Sequence, residues 1–188
     1  GCGACAVACK DWNDIPAGPV NWMRRVYTEK GRFPNVFVAY LVLPCFHCIH
    51  PLCVAACPVA AIEKSAQDGI VRVAGDKCLG KAECDVRCLK ACPYGAPQFG
   101  PENDAKMSKC DFCADRWAEG RLPVCVEACP VRALDAGPLD TLQIRYGESC
   151  SAEGFIYSKA AQPALRMKPK QQRSGSERAA MESSKIEI

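Results

Sequence analysis

The stretch that decides the fold is Cys45-Phe46-His47-Cys48-Ile49-His50-Pro51-Leu52-Cys53-Val54-Ala55-Ala56-Cys57-Pro58. Its cysteines are spaced C-x2-C-x4-C-x3-C, and a proline closes the run. Two later runs end in the same C-x3-C-P step, at Cys92-Pro93 and at Cys129-Pro130. The three closing cysteines are 35 and 37 residues apart, so we predict an internally duplicated chain.

Each complete run offers four thiols, and all twelve are candidate ligands: Cys45, Cys48, Cys53 and Cys57; Cys78, Cys84, Cys88 and Cys92; Cys110, Cys113, Cys125 and Cys129. A fourth run at the start of the chain adds Cys2, Cys5 and Cys9, which match the last three positions of C-x2-C-x2-C-x3-C. We expect its first Cys three residues before Cys2, ahead of Gly1. If another residue stands there, the site would hold a three-iron cluster or a cubane with a non-Cys ligand. Cys150 is left over as a free structural thiol.

Three chemistries compete to explain 16 cysteines in 188 residues. A secreted disulfide scaffold seldom carries a fixed internal repeat. Zinc ribbons use two separated C-x2-C pairs. Tight cysteine runs closed by Cys-Pro are typical of iron–sulfur proteins, in which the last Cys of one run binds the cluster of the other run. The sequence therefore predicts four iron–sulfur clusters, all [4Fe-4S] unless the first is [3Fe-4S].

Composition excludes several other functions. Residues 1–150 carry 17 basic and 17 acidic side chains, and the excess of +3 comes from the tail. The body has no basic stripe interleaved with aromatic residues, which argues against nucleic-acid binding. The longest apolar run, 36–44, is too short for a membrane helix. No Ser/His/Asp set, phosphate loop or acid/base carboxylate pair indicates a catalytic site.

The sequence resembles the iron–sulfur subunits of the dimethyl sulfoxide reductase type, within the complex iron–sulfur molybdoenzyme family. The stretches that carry the resemblance are PNVFVAYLVLPCFHC from Pro34, ACPYGAPQF from Ala91, KCDFCADRWAEGRLPVC from Lys109 and ACPVRALDAGPLDTL from Ala128. The resemblance covers nearly all of residues 1–142. It departs from the family in the run from Cys78, where the gaps are x5 and x3 and Lys81 stands where a second Cys is expected.

The resemblance implies a pairing of ligands between runs. Cys2, Cys5 and Cys129 would hold one cluster with the missing Cys; Cys110, Cys113, Cys125 and Cys9 a second; Cys45, Cys48, Cys53 and Cys92 a third; Cys78, Cys84, Cys88 and Cys57 a fourth. By the family pattern, the Cys2/Cys5 cluster would face the catalytic subunit. The Cys110/Cys113 cluster would face the membrane partner.

We expect an α+β fold of two bacterial-ferredoxin-like modules in tandem over residues 1–149, with motifs at 2–9, 45–57, 78–92 and 110–129. Residues 150–188 would be an extended tail that wraps a partner or is disordered. Strands are predicted at Val36–Val42 and Ile70–Val73. Short turns or strands would follow the Cys-Pro steps at 60–62 and 132–134, and short helices would follow the C-x3-C steps.

The function implied by the resemblance is non-catalytic electron transfer between a molybdopterin-containing catalytic subunit and a membrane anchor or quinone-reactive subunit. The complex would be peripheral to the membrane, on its outer face. A free-standing polyferredoxin is the alternative, and a zinc-based structural module is a third hypothesis from another class. Substrate and direction of electron flow stay open.

Several residues have two interpretations. His47 and His50 are either ligands of the Rieske kind or, as we favour, neighbours that pack beside a cluster with four Cys. Trp12 and Trp22, in the 11–35 insert, either dock a partner or shield a cluster from water. Positive residues that flank ligands either tune cluster potential or are solvated surface residues: Lys10, Arg87, Lys90, Lys109 and Arg132.

Overall fold

The computed structural model describes residues 1–168, which form short helices and two separate two-stranded sheets. In chain order the elements are α1 (Ala4–Trp12), β1 (Arg24–Arg32), β2 (Asn35–Leu43), α2 (Leu52–Ala55), β3 (Ile62–Lys64), β4 (Val71–Val73), α3 (Lys81–Cys84), α4 (Arg87–Ala91), α5 (Ala114–Ala118), α6 (Val124–Glu127) and α7 (Leu139–Tyr146). None of the helices within these residues has the length and apolar character needed to cross a bilayer.

The first sheet is a long antiparallel ribbon of β1 and β2, in register from Arg24 opposite Leu43 to Arg32 opposite Asn35. β2 confirms the strand predicted at Val36–Val42 and extends it at both ends. β1 is not among the predicted strands. The insert 11–35 therefore contributes one of the two strands of this sheet. The sequence of β1 is largely charged and exposed, so it lacks the apolar alternation that usually reveals a strand.

The second sheet is a short antiparallel pair, in which Ile62 lies opposite Val73 and Lys64 opposite Val71. It confirms the strand predicted at Ile70–Val73, apart from its first residue. Of the two segments after Cys-Pro steps, the first enters β3 at Ile62, whereas 132–134 forms neither helix nor strand. The prediction of a turn or strand is therefore confirmed at Ile62 and is wrong for 132–134.

The short helices lie inside the C-x3-C steps rather than after them. α2 contains Cys53, α4 contains Cys88 and α6 contains Cys125. Pro51 and Pro123 stand directly before the first residues of α2 and α6, where the missing proline N–H costs the helix nothing. A candidate ligand thiol is thus fixed on the first turn of a helix in each case.

The irregular run from Cys78 is accommodated by an extra turn. Helix α3 ends at Cys84, and the next two residues, Asp85 and Val86, both have left-handed backbone conformations with φ of 52° and 47°. This conformation is costly for a β-branched residue such as Val86. The paired left-handed residues reverse the chain so that α4 can begin at Arg87.

The core is built around thiols. One cluster of buried residues contains Cys53, Cys88, Ile62, Val71 and Met107. A second contains Cys5, Cys9 and Met23, with Trp22 and Cys125 packed against it. Helix α1 packs on α6, and α2 packs on α4 and β3, so the first run meets the last and the two middle runs meet each other.

The segment 150–168 lies against its own chain. The backbone N–H of Ile49 and His50 donate to the carbonyls of Gln162 and Ala161, at 2.8 and 3.0 Å. Phe155 stacks on Tyr94 with ring centroids 5.4 Å apart. The segment forms neither helix nor strand, and these contacts fix it on the body of the chain; its wrapping of a partner stays a prediction. The rest of the predicted tail, 169–188, lies outside the described residues.

Candidate iron–sulfur cluster sites

All 16 cysteines lie within the described residues and carry free thiols, so no disulfide scaffold holds this part of the chain together. Fifteen of them fall into four groups, named here after one member each. The thiols of two groups line cavities. The other two groups are defined by electrostatic interactions between their thiols.

The Cys57 site is a cavity between the second and third runs. Its wall combines one thiol of the second run with three of the third: Cys57, Cys78, Cys84 and Cys88. The remaining lining is mostly apolar and includes Val59, Leu79 and Met107. Lys81 does not line this cavity, because its ammonium group donates to the carbonyls of Gly100 and Pro101 at 3.3 and 3.1 Å. The four thiols thus converge despite the irregular spacing.

The Cys45 site is a second cavity with the reciprocal composition. Three thiols of the second run and the last thiol of the third line it: Cys45, Cys48, Cys53 and Cys92. Pro51, Tyr94 and Ala161 belong to its apolar wall. Among the described residues, Lys109 is the only charged one in that wall.

The other two sites combine thiols of the first and last runs, whose helices α1 and α6 pack together. Cys9 interacts electrostatically with Cys125 and Cys113, and Cys110 interacts with Cys125; these four form the Cys110 site. Cys5 interacts electrostatically with Cys129 and Cys2, and these three form the Cys2 site.

Contacts between the groups place them in a row. Cys5 of the Cys2 site interacts with Cys9 and Cys125 of the Cys110 site. Cys110 interacts with Cys45. Cys53 of the Cys45 site interacts with Cys88 of the Cys57 site. The order is Cys2, Cys110, Cys45, Cys57.

This order bears on one expectation. The Cys110/Cys113 group interacts with thiols of the groups before and after it, so it lies inside the row, a position that disfavours direct contact with a membrane partner. The Cys57 site occupies the end opposite the Cys2 site. The spacing of cysteines along the chain does not show which groups are neighbours in space, because folding brings together thiols that are far apart in the sequence.

Backbone amides donate to the thiol sulfurs at the Cys-Pro steps. The N–H groups of Ala61, Ala96 and Ala133 donate to the sulfurs of the cysteines four residues earlier, at 3.2, 3.4 and 3.3 Å. The alanines are the last letters of the repeats CPVAA, CPYGA and CPVRA. The repeat was recognised as duplication, but its role in aiming an N–H at sulfur becomes visible only in the structure.

The thiols lie in surroundings that disfavour ionisation without a cation. Burial, followed by the neighbouring thiols Cys125 and Cys113, raises the pKa of Cys9 to about 12. Burial and the thiols around them likewise raise the pKa of Cys48 to about 12 and of Cys53 to about 11. Burial also acts to raise the pKa of Cys129, but backbone N–H groups of residues 131–134 lower it overall.

This donor set fits an iron–sulfur cluster. Crowded thiolates need bound positive charge, and soft sulfur ligands favour iron or zinc. Within residues 1–168, no three His, Cys, Asp or Glu side chains converge on a point that a single ion could occupy. Eight of the thiols instead line two cavities, four in each, and the ligands of a cubane need no common point because each binds a different iron.

Residues 36–139 match the 4Fe-4S dicluster domain family. The chain is 40% identical over 178 residues to the B subunit of the anaerobic dimethyl sulfoxide reductase of Escherichia coli strain K12, a match that covers 90% of this chain and 83% of the relative. The corresponding B subunit of Haemophilus influenzae is 38% identical over 179 residues, with the same coverage. Protein NrfC of Escherichia coli strain K12 is 41% identical over 142 residues, 74% of this chain and 61% of the relative.

The chain belongs to the iron–sulfur subunits of the dimethyl sulfoxide reductase type. It is an iron–sulfur electron-transfer protein of the ferredoxin-like α+β class, as the resemblance predicted. Within this subunit, neither histidine lines a thiol cavity. His47 is buried and accepts the Val71 N–H at 3.0 Å through Nδ1; burial, and then Lys109, lower its pKa to about 3. His50 is exposed.

The two tryptophans of the subunit differ. Trp22 packs against the buried Cys5 and Cys9 and donates to Ser108 Oγ at 3.0 Å, so it shields thiols. Trp12 is 40% exposed and lies under the guanidinium of Arg116, 4.5 Å from the ring centroid. Cys150 stands apart from the four groups and donates to the Leu165 carbonyl at 3.3 Å.

Proposed function

We propose that the chain carries four iron–sulfur clusters in a row, within two tandem ferredoxin-like modules. It would relay electrons between a molybdopterin catalytic subunit and a membrane quinone-reactive subunit, without itself being catalytic. When bound, each cluster accepts and passes on single electrons. The chain's own part is to space the clusters, exclude water and set their potentials.

The observation that carries this proposal is the unbroken order of the four thiol groups. Each group interacts with the next through a named pair of thiols, such as Cys110 with Cys45 and Cys53 with Cys88. The crossing of the second and third runs brings four thiols around each of the two cavities. An uninterrupted row is what a relay between two distant partners requires.

We infer the ligands from the groups. The Cys2 site would use Cys2, Cys5 and Cys129; the Cys110 site Cys9, Cys110, Cys113 and Cys125; the Cys45 site Cys45, Cys48, Cys53 and Cys92; the Cys57 site Cys57, Cys78, Cys84 and Cys88. Each cluster in this assignment takes one ligand from a partner run, so every cluster links two parts of the chain. Three sites are cubanes of four thiolates, and the Cys2 site is either a cubane or a three-iron cluster.

Exposed apolar side chains at both ends of the row support partner docking there. Val7 and Val131, beside ligands of the Cys2 site, are 71% and 76% exposed. Val59 and Leu79 line the Cys57 cavity and are 37% and 39% exposed. We assign the first surface to the catalytic partner and the second to the membrane partner. As the family resemblance implies, the chain would be peripheral to the membrane, on its outer face.

Mild-detergent purification of the tagged chain from its native host tests the function. We expect molybdenum and two further chains in the same complex, and loss of electron transfer between quinone and the molybdenum subunit in membranes when this chain is deleted. Recovery of the chain alone with its clusters intact, and unchanged electron transfer in the deletion strain, would favour the free-standing polyferredoxin instead.

A further inference from the structure

Lys109 is a buried lysine in the wall of the Cys45 cavity. Its side chain is only 3% exposed, although it directly precedes the ligand Cys110. The ammonium group donates to the carbonyl of Cys110 at 2.9 Å and to the carbonyl of Val71. It therefore lies between the second sheet and the loop that carries the Cys110 site.

This ammonium group has no acidic partner within residues 1–168. The six ion pairs formed there all involve other residues. Carbonyl dipoles satisfy hydrogen bonds but carry no net charge, and a buried charge without a counter-charge is strongly unfavourable. The groups near Lys109 that can supply negative charge are thiolates, because Lys109 shares the cavity wall with the four thiols of the Cys45 site and donates to the carbonyl of Cys110.

The charged side chains around the Cys110 site differ from those around the Cys45 site. Asp111 faces Cys9 and Cys113, and Asp115 also faces Cys113. The Cys45 site instead has two further cations nearby, Arg24 and Lys64, both less buried than Lys109. Of these three cations Lys109 is the most shielded from solvent, so its field is the least screened.

We propose that Lys109 is the internal counter-cation of the cluster at the Cys45 site and raises the reduction potential of that cluster. Reduction adds one negative charge to a cluster, and a fixed positive charge nearby stabilises the reduced form. An electron in the row is then held at the Cys45 site rather than at the neighbouring Cys110 site. This inference rests on the proposed function, since it requires a cluster at the Cys45 site.

The test compares four variants of the full chain, assembled with its clusters. Lys109→Met removes the charge and keeps an unbranched stem of similar length. Lys109→Gln removes the charge but keeps an N–H donor for the carbonyls. Lys109→Arg keeps the charge. Lys106→Met is the matched control, because Lys106 is an exposed lysine three residues earlier that donates only to the Asp76 carbonyl, at 3.5 Å.

Redox titration followed by paramagnetic resonance gives the readout. We expect the equilibrium constant for reduction of at least one cluster to fall about tenfold in Lys109→Met and Lys109→Gln. For a one-electron couple that is a midpoint lower by about 59 mV. Lys109→Arg is expected to keep the wild-type midpoint within a small fraction of this shift, and Lys106→Met to leave every midpoint unchanged.

Unchanged midpoints in fully loaded Lys109→Met would overturn the inference. So would an equal fall in Lys109→Arg, because packing rather than charge would then be responsible. If the two neutral variants lose iron while Lys109→Arg keeps it, charge is required for retention and the inference stands; iron loss from all three contradicts it. Absence of clusters from the wild-type chain is a different outcome, which refutes the proposed function itself.

Discussion

At the scale of residues, the four runs differ in the hydrogen bond that the sulfur of the closing cysteine receives. Three closing cysteines receive a backbone N–H from the alanine four residues later. Cys9 is not followed by proline, and α1 continues past it to Trp12, so its helix uses those amides internally. The side chain of Asn13, again four residues later, lies 3.8 Å from the Cys9 sulfur and donates to the Cys9 carbonyl at 2.8 Å.

Asn13→Ala is expected to destabilise the cluster-loaded chain by about 1 kcal/mol, the usual net value of one hydrogen bond. It should also lower the midpoint of one cluster, because a donor that favours the more negative state is lost. Denaturant unfolding and redox titration measure the two effects. Asn21→Ala, which removes an exposed bond to the Pro19 carbonyl, is the control. A midpoint identical to wild type would contradict the role of Asn13.

Cys88→Ser should reduce the iron content of the chain by up to about four atoms, because it removes a buried thiol of the Cys57 site. Cys150→Ser should leave the iron content unchanged, because Cys150 belongs to none of the four groups. Colorimetric iron determination on anaerobically purified protein compares them. Equal iron content in the two variants would show that Cys88 is not a ligand.

Residue identity was more predictable than residue surroundings. The spacing of the runs marked fifteen thiols as ligands, and the structure gathers those fifteen into groups; their ligation stays a prediction. Lys109 and Lys90 both flank ligands in the sequence, yet one is 3% exposed and the other lies on the surface. Burial of a lysine depends on which segments cover it, and that depends on long-range contacts.

At the scale of elements, Arg116 connects three helices. It lies on α5, its guanidinium covers Trp12 of α1, and it forms an ion pair with Glu127 of α6. It also donates to the Leu122 carbonyl at 2.8 Å and is only 2% exposed. The flat, forked guanidinium suits these simultaneous contacts, whereas an ammonium group does not.

Arg116→Lys is therefore expected to cost about 2 kcal/mol of stability, below the 3–5 kcal/mol typical for breaking a fully buried pair, because Glu127 is 45% exposed. The exposed Arg121→Lys, whose guanidinium lies 5.5 Å from the same ring, should cost less than about 0.5 kcal/mol. Thermal unfolding of the loaded chain, followed by circular dichroism, compares them. Equal losses would contradict the connecting role of Arg116.

The segment 150–168 covers the Cys45 site. Ala161 is 1% exposed and lines that cavity, whereas its neighbour Ala160 is exposed. Ala161→Glu should force a charge into the wall and lift the segment, so that an iron chelator removes iron faster. Ala160→Glu is the matched control and should leave the rate at the wild-type value. Equal rates in the two variants would show that the segment does not protect the site.

Elements were predictable where apolar pattern or turn chemistry was strong. β2 and β4 were found from β-branched runs, whereas β1, with five charged residues among nine, gave no such signal. Composition predicted an extended tail over 150–188, either wrapping a partner or disordered, and it gave no sign of the backbone hydrogen bonds and the Phe155 ring contacts that hold 150–168 on the chain. Composition reports average solubility and cannot report such specific contacts.

At the scale of the whole molecule, the two groups of buried core residues contain thiols that also belong to the proposed iron–sulfur sites. Cys53 and Cys88 lie in one and Cys5 and Cys9 in the other, and only 7% of the residues of the chain are aromatic. A chain with so thin an apolar core gains stability from bound metal, as small metal-binding domains do. Because each proposed site takes thiols from two runs, cluster binding and folding of the row are coupled.

Iron and acid-labile sulfide per chain, measured on anaerobically prepared full-length protein, test the central claim most directly. Four clusters predict about 16 atoms of each per chain, or about one iron fewer with a three-iron cluster, together with paramagnetic signals after dithionite reduction. A folded chain that is colourless, contains zinc or no metal, and gives no such signals would contradict the account.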